Sequence, residues 1–253
     1  MDDTKEIREV LDLGYSDFYV DDNVRDETLA RHCSELATTI ACLSAEEAIN
    51  YSLLMKLGRD HPSPQLYALD FPSDFRAALY VLLGGYYKQA MLCLRTWLEM
   101  RLTGIYFGVV DTDRGKYESW KNGHEEAPHG SGLITRLFSR AEFQKADQRT
   151  GVRQRVRSLY GGLSAFIHGG GVSKYGLQDD TDNVPRYNER SVRLHLETAG
   201  QTFAEIVYLL GIAYGEAAFA LVDDACIETV LSVVPEGYRG DLTAVVATSR
   251  ARL

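Results

Sequence analysis

The sequence predicts an all-α protein, and three observations carry that prediction. Apolar residues recur at steps of three and four through most of the chain, the mark of amphipathic helices. No run alternates apolar and polar residues with the two-residue period of a half-buried strand. Glycines and prolines punctuate the periodic segments at their ends, where helices stop and loops begin.

Taken in order, residues 1–25 are acidic and weakly periodic and read as an arm, followed by a single helical domain over 26–253. A helix is expected from near Asp26, with Leu29, Cys33, Leu36, Ile40 and Leu43 on one apolar face. Ser44 with Glu47 has the form of a capping box, which places a second helix, or a kinked continuation, over about 45–57. Gly58 ends it, and Pro62 and Pro64 predict a loop. Ser73 is the expected N-cap of a long segment reaching Phe107. Gly84-Gly85 marks a break or a close approach inside it, at a cost of about 1 kcal/mol per glycine relative to alanine. Beyond Gly85, the residues Tyr87, Met91, Leu94, Leu98, Leu102 and Ile105 share a face. Residues 108–132 are rich in Gly, Asp and His and read as a long connection, a candidate lid or partner contact.

A short helix is predicted over 131–139 and a long one from Ala141 to His168, stopped by Gly169-Gly170-Gly171. Residues 172–188 form a polar loop. The last long helix is expected from Glu189 to Asp223, with Leu194, Thr198, Phe203, Val207, Leu210 and Tyr214 near one stripe. Two smaller helices flank Pro235-Glu236-Gly237.

Length and charge narrow the function. A chain of 253 residues with 45% apolar residues can bury one substantial core. A net charge of -9 argues against coating nucleic acid through the general field of the molecule. Arg149, Arg153, Arg155 and Arg157 are the one local basic concentration. The most apolar stretch, Ile206 to Leu221, contains Glu216 and follows Glu205, so it reads as a core helix and not a membrane span. The N-terminus lacks a secretory profile. Cys33, Cys42, Cys93 and Cys226 show no CxxC spacing, which predicts reduced, mostly buried thiols and a cytoplasmic protein.

Two segments carry candidate chemistry. Arg95 and Glu99 stand one turn apart in an apolar helix and project from the same face. In Arg157-Ser-Leu-Tyr160-Gly-Gly-Leu-Ser164-Ala-Phe-Ile-His168 the polar residues Arg157, Tyr160, Ser164 and His168 form a stripe. If the two stripes face each other, they make either an active centre or a polar network that fixes helix register. The triple glycine follows a helix, whereas phosphate cradles precede one, so it reads as a C-cap. His124 and His129, with Glu125 and Glu126 between them, lack a second ligand cluster, so neither a metal nor any other cofactor is assigned.

The helix Tyr86-Tyr-Lys-Gln-Ala-Met-Leu-Cys-Leu-Arg95-Thr-Trp-Leu-Glu99, followed after an insert by Leu159-Tyr-Gly-Gly-Leu-Ser-Ala-Phe-Ile-His168-Gly169, resembles the HEPN superfamily of higher-eukaryote and prokaryote nucleotide-binding domains. The match covers about residues 75–220. The resemblance implies a HEPN-like bundle of four to five long helices with additional N- and C-terminal helices, paired as a homodimer. It also implies a place in prokaryotic toxin–antitoxin or anti-phage defence, with a protein partner from the same operon or an RNA or nucleotide ligand. Many members are metal-independent ribonucleases whose active site is an arginine followed a few residues later by a histidine. His168 matches the histidine, but Gly161, Gly162 and Leu163 stand where the arginine belongs. In such a site histidine moves the proton and the cation stabilises charge developing on phosphorus. Arg157 lies three turns, roughly 16 Å, below His168, so Arg95 is the substitute the pattern offers.

The expected reading is therefore a degenerate, non-catalytic interaction module. The alternatives are a ribonuclease using His168, Arg95, Glu99 and Ser164 with Arg157 and Tyr160 in binding, and a ligand sensor with 108–132 as its lid.

Overall fold

The computed structural model describes residues 22–167 and 186–251. His168, the triple glycine and most of the 172–188 loop and acidic arm lie outside them. All regular structure among the described residues is helical, and no helix there is long and apolar enough to cross a membrane.

Helix α1 is a single element of 36 residues, Asp22–Leu57, kinked at His32 where the backbone leaves helical geometry (φ -125°, ψ 25°). The expected break at Ser44 is absent. The Ser44 hydroxyl turns back to the Ile40 carbonyl, the bond a mid-helix serine makes in place of a cap. Glu47 pairs with Arg76 instead of closing a capping box. The buried stripe of α1 also differs from the expected one. It runs through Val24, Thr28, His32, Leu36, Thr39, Cys42, Ala45, Ile49 and Leu53. Leu29, Cys33 and Ile40 face outward. Polar side chains hold inward positions because their hydroxyls are satisfied by the helix itself, as in Thr28 Oγ1 to the Val24 carbonyl at 2.7 Å.

Pro62 and Pro64 open α2 (Pro62–Leu83) and do not make a loop. Proline in a first turn lacks only an N–H that would have no helical partner, and His61 caps the turn by accepting from the Ser63 amide. Ser73 is thus interior to α2. Gly84 caps its end, Gly85 takes φ 78°, and α3 (Tyr87–Ile105) begins. The face predicted for this segment is the buried one, joined by Trp97 and Arg101.

A π-helical turn, Tyr106–Val110, extends α3. The connection expected over 108–132 contains α4 (Arg114–Lys121), capped by Asp113, whose Tyr117 and Trp120 pack on Phe107. Next come α5 (Gly130–Leu137) and α6 (Ala141–Thr150). The long helix predicted from Ala141 is broken at Gly151, which adopts the left-handed region (φ 67°) before α7 (Val152–Ile167) starts. Asp147 caps the new helix by accepting from the Arg153 amide. Helix α8 (Glu189–Tyr214) ends at Gly215, earlier than Asp223, and the short α9 (Glu216–Phe219), α10 (Asp224–Val233) and α11 (Glu236–Arg250) complete the domain. Helices α3 and α8 form the centre, with α1 and α2 on one side and α7 on another.

A buried ion pair joins α1 to α3. Arg101 and Glu46 are 3% and 1% exposed. Glu46 Oε1 accepts from Arg101 Nε (2.7 Å) and Nη2 (2.5 Å) and from Trp97 Nε1 (2.9 Å), while Arg101 Nη1 donates to Asn50 Oδ1 at 2.7 Å. Tyr67 of α2 lies against the guanidinium, 4.7 Å from ring centroid to Cζ. Removing one partner strands a buried charge, so Glu46→Ala should lower unfolding free energy in urea by ~3–5 kcal/mol. Glu46→Ala combined with Arg101→Met should recover part of that loss.

His195 of α8 is wholly buried, and neither ring nitrogen has a partner among the described residues. Burial pushes its pKa down from 6.5 to about 3. The unfolded chain therefore takes up a proton that the folded chain refuses, and stability falls as pH drops from 6.5 toward 3, by up to ~1.4 kcal/mol per pH unit. His195→Leu should flatten the melting-temperature profile between pH 6.5 and 4, followed by circular dichroism. An unchanged slope would place the acid sensitivity elsewhere.

Candidate functional site

Arg95 and Glu99 meet Tyr160 and Ser164 where α3 crosses α7. Their rotational positions follow from Trp97 and Arg101. With those two turned toward α1, residues two positions before and after Trp97 point away from it, toward α7. Arg95 Nη1 contacts Glu99 Oε2 at 3.0 Å, Nη2 donates to the Tyr160 hydroxyl at 2.6 Å, and Nε donates to Ser164 Oγ at 3.3 Å. The Tyr160 hydroxyl in turn donates to Glu99 Oε1 at 3.1 Å. The guanidinium also lies 5.1 Å from the Tyr160 ring centroid.

The network is half-sheltered: the Arg95 and Glu99 side chains keep 22% and 20% of their exposure. Burial, then the nearby Glu99 carboxylate, push the Tyr160 phenol above its ordinary range. Tyr160 therefore stays a neutral hydroxyl that accepts from the arginine and donates to the carboxylate. All three guanidinium nitrogens are engaged within the network, as are both carboxylate oxygens.

Arg157 stands apart. Its Nη2 donates to Thr135 Oγ1 of α5 at 3.0 Å, which ties α7 to α5. The other arginines of the basic concentration disperse: Arg149 pairs with Asp241, and Arg155 with Glu205. His168 follows Ile167, the last described residue of α7, and lies outside the described residues.

Sequence reasoning overlooked what borders Glu99. A crevice of about 170 Å³ beside it is lined by Thr96, Met100, Thr103, Trp120 and His129. His129 precedes Gly130, whose positive φ (58°) opens α5 against the Tyr160 ring. A Cβ there would come within 3.3 Å of that ring. The signal was the pairing of His129 with a glycine at a helix start. No group of three or more metal-ligating side chains gathers among the described residues; Cys33, Cys42, Cys93 and Cys226 are free thiols, but against expectation only Cys42 is buried, Cys33 being exposed and the other two half-buried.

No protein-family model matches the chain, and no curated protein or solved structure matches it. A guanidinium committed to a carboxylate one turn away is partly neutralised and positioned by its neighbours, which suits register-fixing between α3 and α7. Tyr160→Phe removes the hydroxyl that bridges arginine and carboxylate and should cost ~1–2 kcal/mol in urea unfolding. Ser164→Ala, which loses one long bond, should cost less. Equal losses would show that the tyrosine hydroxyl is not the bridge.

Proposed function

We propose that this chain is a HEPN-like helical interaction module of a prokaryotic defence or toxin–antitoxin type system, with a degenerate, non-catalytic centre. The observation that carries the reading is the closed Arg95–Glu99–Tyr160–Ser164 network. A ribonuclease needs a cation free to meet phosphate, and here the arginine nearest the expected position spends each nitrogen on a protein partner. The net charge of -9 adds general repulsion toward RNA. On this reading the motif helices keep the bundle in register, and the molecule works through a homodimer surface and a protein partner from the same operon.

A metal-independent ribonuclease is the second reading, and one observation favours it. His129 and Glu99, the carboxylate partner of Arg95, line the same crevice, and a histidine is the side chain suited to carry a proton in RNA cleavage. His168 would serve the same role if it turns toward Arg95.

The two readings separate in one assay. Purified protein is incubated with single-stranded RNA in excess chelator, beside Arg95→Ala, His129→Ala and His168→Ala. The interaction module predicts no cleavage by wild type above the level of the three variants. Metal-independent cleavage lost on Arg95→Ala and on either histidine variant, with the folds intact, would establish the ribonuclease instead.

A further inference from the structure

The face of α7 turned away from Tyr160 and Ser164 borders a cleft of about 610 Å³ shared with α8. Its polar end is set by Arg155 and Glu205, and its far end by Phe166 and Leu194. Eleven helical positions separate Arg155 from Phe166, so the lining extends over roughly 16 Å of α7. Between them the wall is mostly apolar, formed by Leu159 and Leu163 with Met91 of α3, and Ser158, Thr198 and Gln201 add polar groups to it.

Gly162 stands near the middle of this wall. A Cβ built there meets nothing within 4 Å. Neither packing nor backbone conformation requires glycine, and its missing side chain leaves the cleft open where a larger residue would fill it.

The polar end is held ready for an anion. Arg155 Nε donates to Glu205 Oε1 at 3.1 Å and to the Tyr238 hydroxyl at 2.8 Å, and Tyr238 donates to Glu205 Oε2. The Tyr238 ring lies 4.7 Å from Arg155 Cζ. Glu205, 4% exposed, is therefore saturated and faces only the Nε side of the guanidinium. The Arg155 side chain is 41% exposed, and its two terminal nitrogens bond to no described residue. Burial pushes the Glu205 carboxyl above its ordinary range, and its bonds to Tyr238 and Arg155 work against that shift. Arg155 is also the one cation among the described residues lining the cleft. A single guanidinium fork matches a carboxylate bidentately, whereas a phosphate dianion calls for more positive charge.

We propose that this cleft binds a linear amphipathic carboxylate, its chain lying along Leu159, Gly162, Leu163 and Phe166 and its head group on the terminal nitrogens of Arg155. The site is separate from the Arg95 network and does not depend on how that network is read. Apolar contact supplies affinity, and the one charged contact fixes orientation.

Dodecanoate below its micellar concentration is the probe, titrated into the full chain by calorimetry. Saturable binding at one site per chain is expected. Arg155→Met, which keeps the alkyl stem, should weaken it by about tenfold, and Gly162→Phe should abolish it. The methyl ester should bind no better than the Arg155→Met variant binds dodecanoate. Absence of saturable binding, or unchanged affinity in Gly162→Phe, overturns the site. Equal affinity for the ester, or tighter binding of dodecyl phosphate, overturns the head-group assignment. Gly162→Phe lies outside the Arg155–Glu205–Tyr238 network and decides the matter alone if Arg155→Met fails to fold, as judged by circular dichroism.

Discussion

Glu46 and Arg101 must be buried together or not at all, and that condition organises the molecule. Each charge alone would cost several kcal/mol of desolvation in the core. Together they share hydrogen bonds with Trp97 and Asn50 and stand over Tyr67, so α1, α2 and α3 are fixed to one point. Trp97 extends the constraint by stacking on Phe75, ring centroids 4.2 Å apart. Since a helix is a rigid rotor, setting Arg101 and Trp97 toward α1 sets Arg95 and Glu99 toward α7. The outer polar network inherits its geometry from the inner one.

Two arginines on α7 and its neighbour illustrate how the same side chain takes opposite roles. Arg95 lies in a ring of partners that uses every nitrogen, and the result is a clamp. Arg155 is anchored by one nitrogen only, with an acid and a phenol behind it, and presents its remaining edge outward. What distinguishes them is the number of acceptors within reach, which depends on tertiary packing and not on local sequence.

This bears on how far the sequence could be read. The helical class, the buried face of α3 and the two separate stripes, Arg95 with Glu99 and Tyr160 with Ser164, follow from periodicity, because side chains one turn apart share a direction whatever surrounds them; that the two stripes meet does not. Helix boundaries were harder. Pro62 and Pro64 signal a break and a first turn alike, and Ser44 signals a cap and a back-bonded interior residue alike. The choice falls to packing elsewhere. The inward face of α1 was misassigned because Thr28, His32, Thr39 and Glu46 look solvent-facing until their partners are known. Glu46 and Arg101 could be paired only across 55 positions, a distance at which residue spacing carries no information.

Helix α1, 36 residues long, would span roughly 54 Å if straight, and it touches both early and late parts of the chain. It packs on α2, yet also on α8, α9 and α10, and Ser52 accepts from the Leu221 amide while donating to the Ala217 carbonyl. The first described helix therefore lacks part of its packing surface until residues 189–233 have emerged from the ribosome. During synthesis the part of its inner face that packs on α8, α9 and α10 waits without cover, a window in which a nascent-chain chaperone or a slowed ribosome has the most to protect.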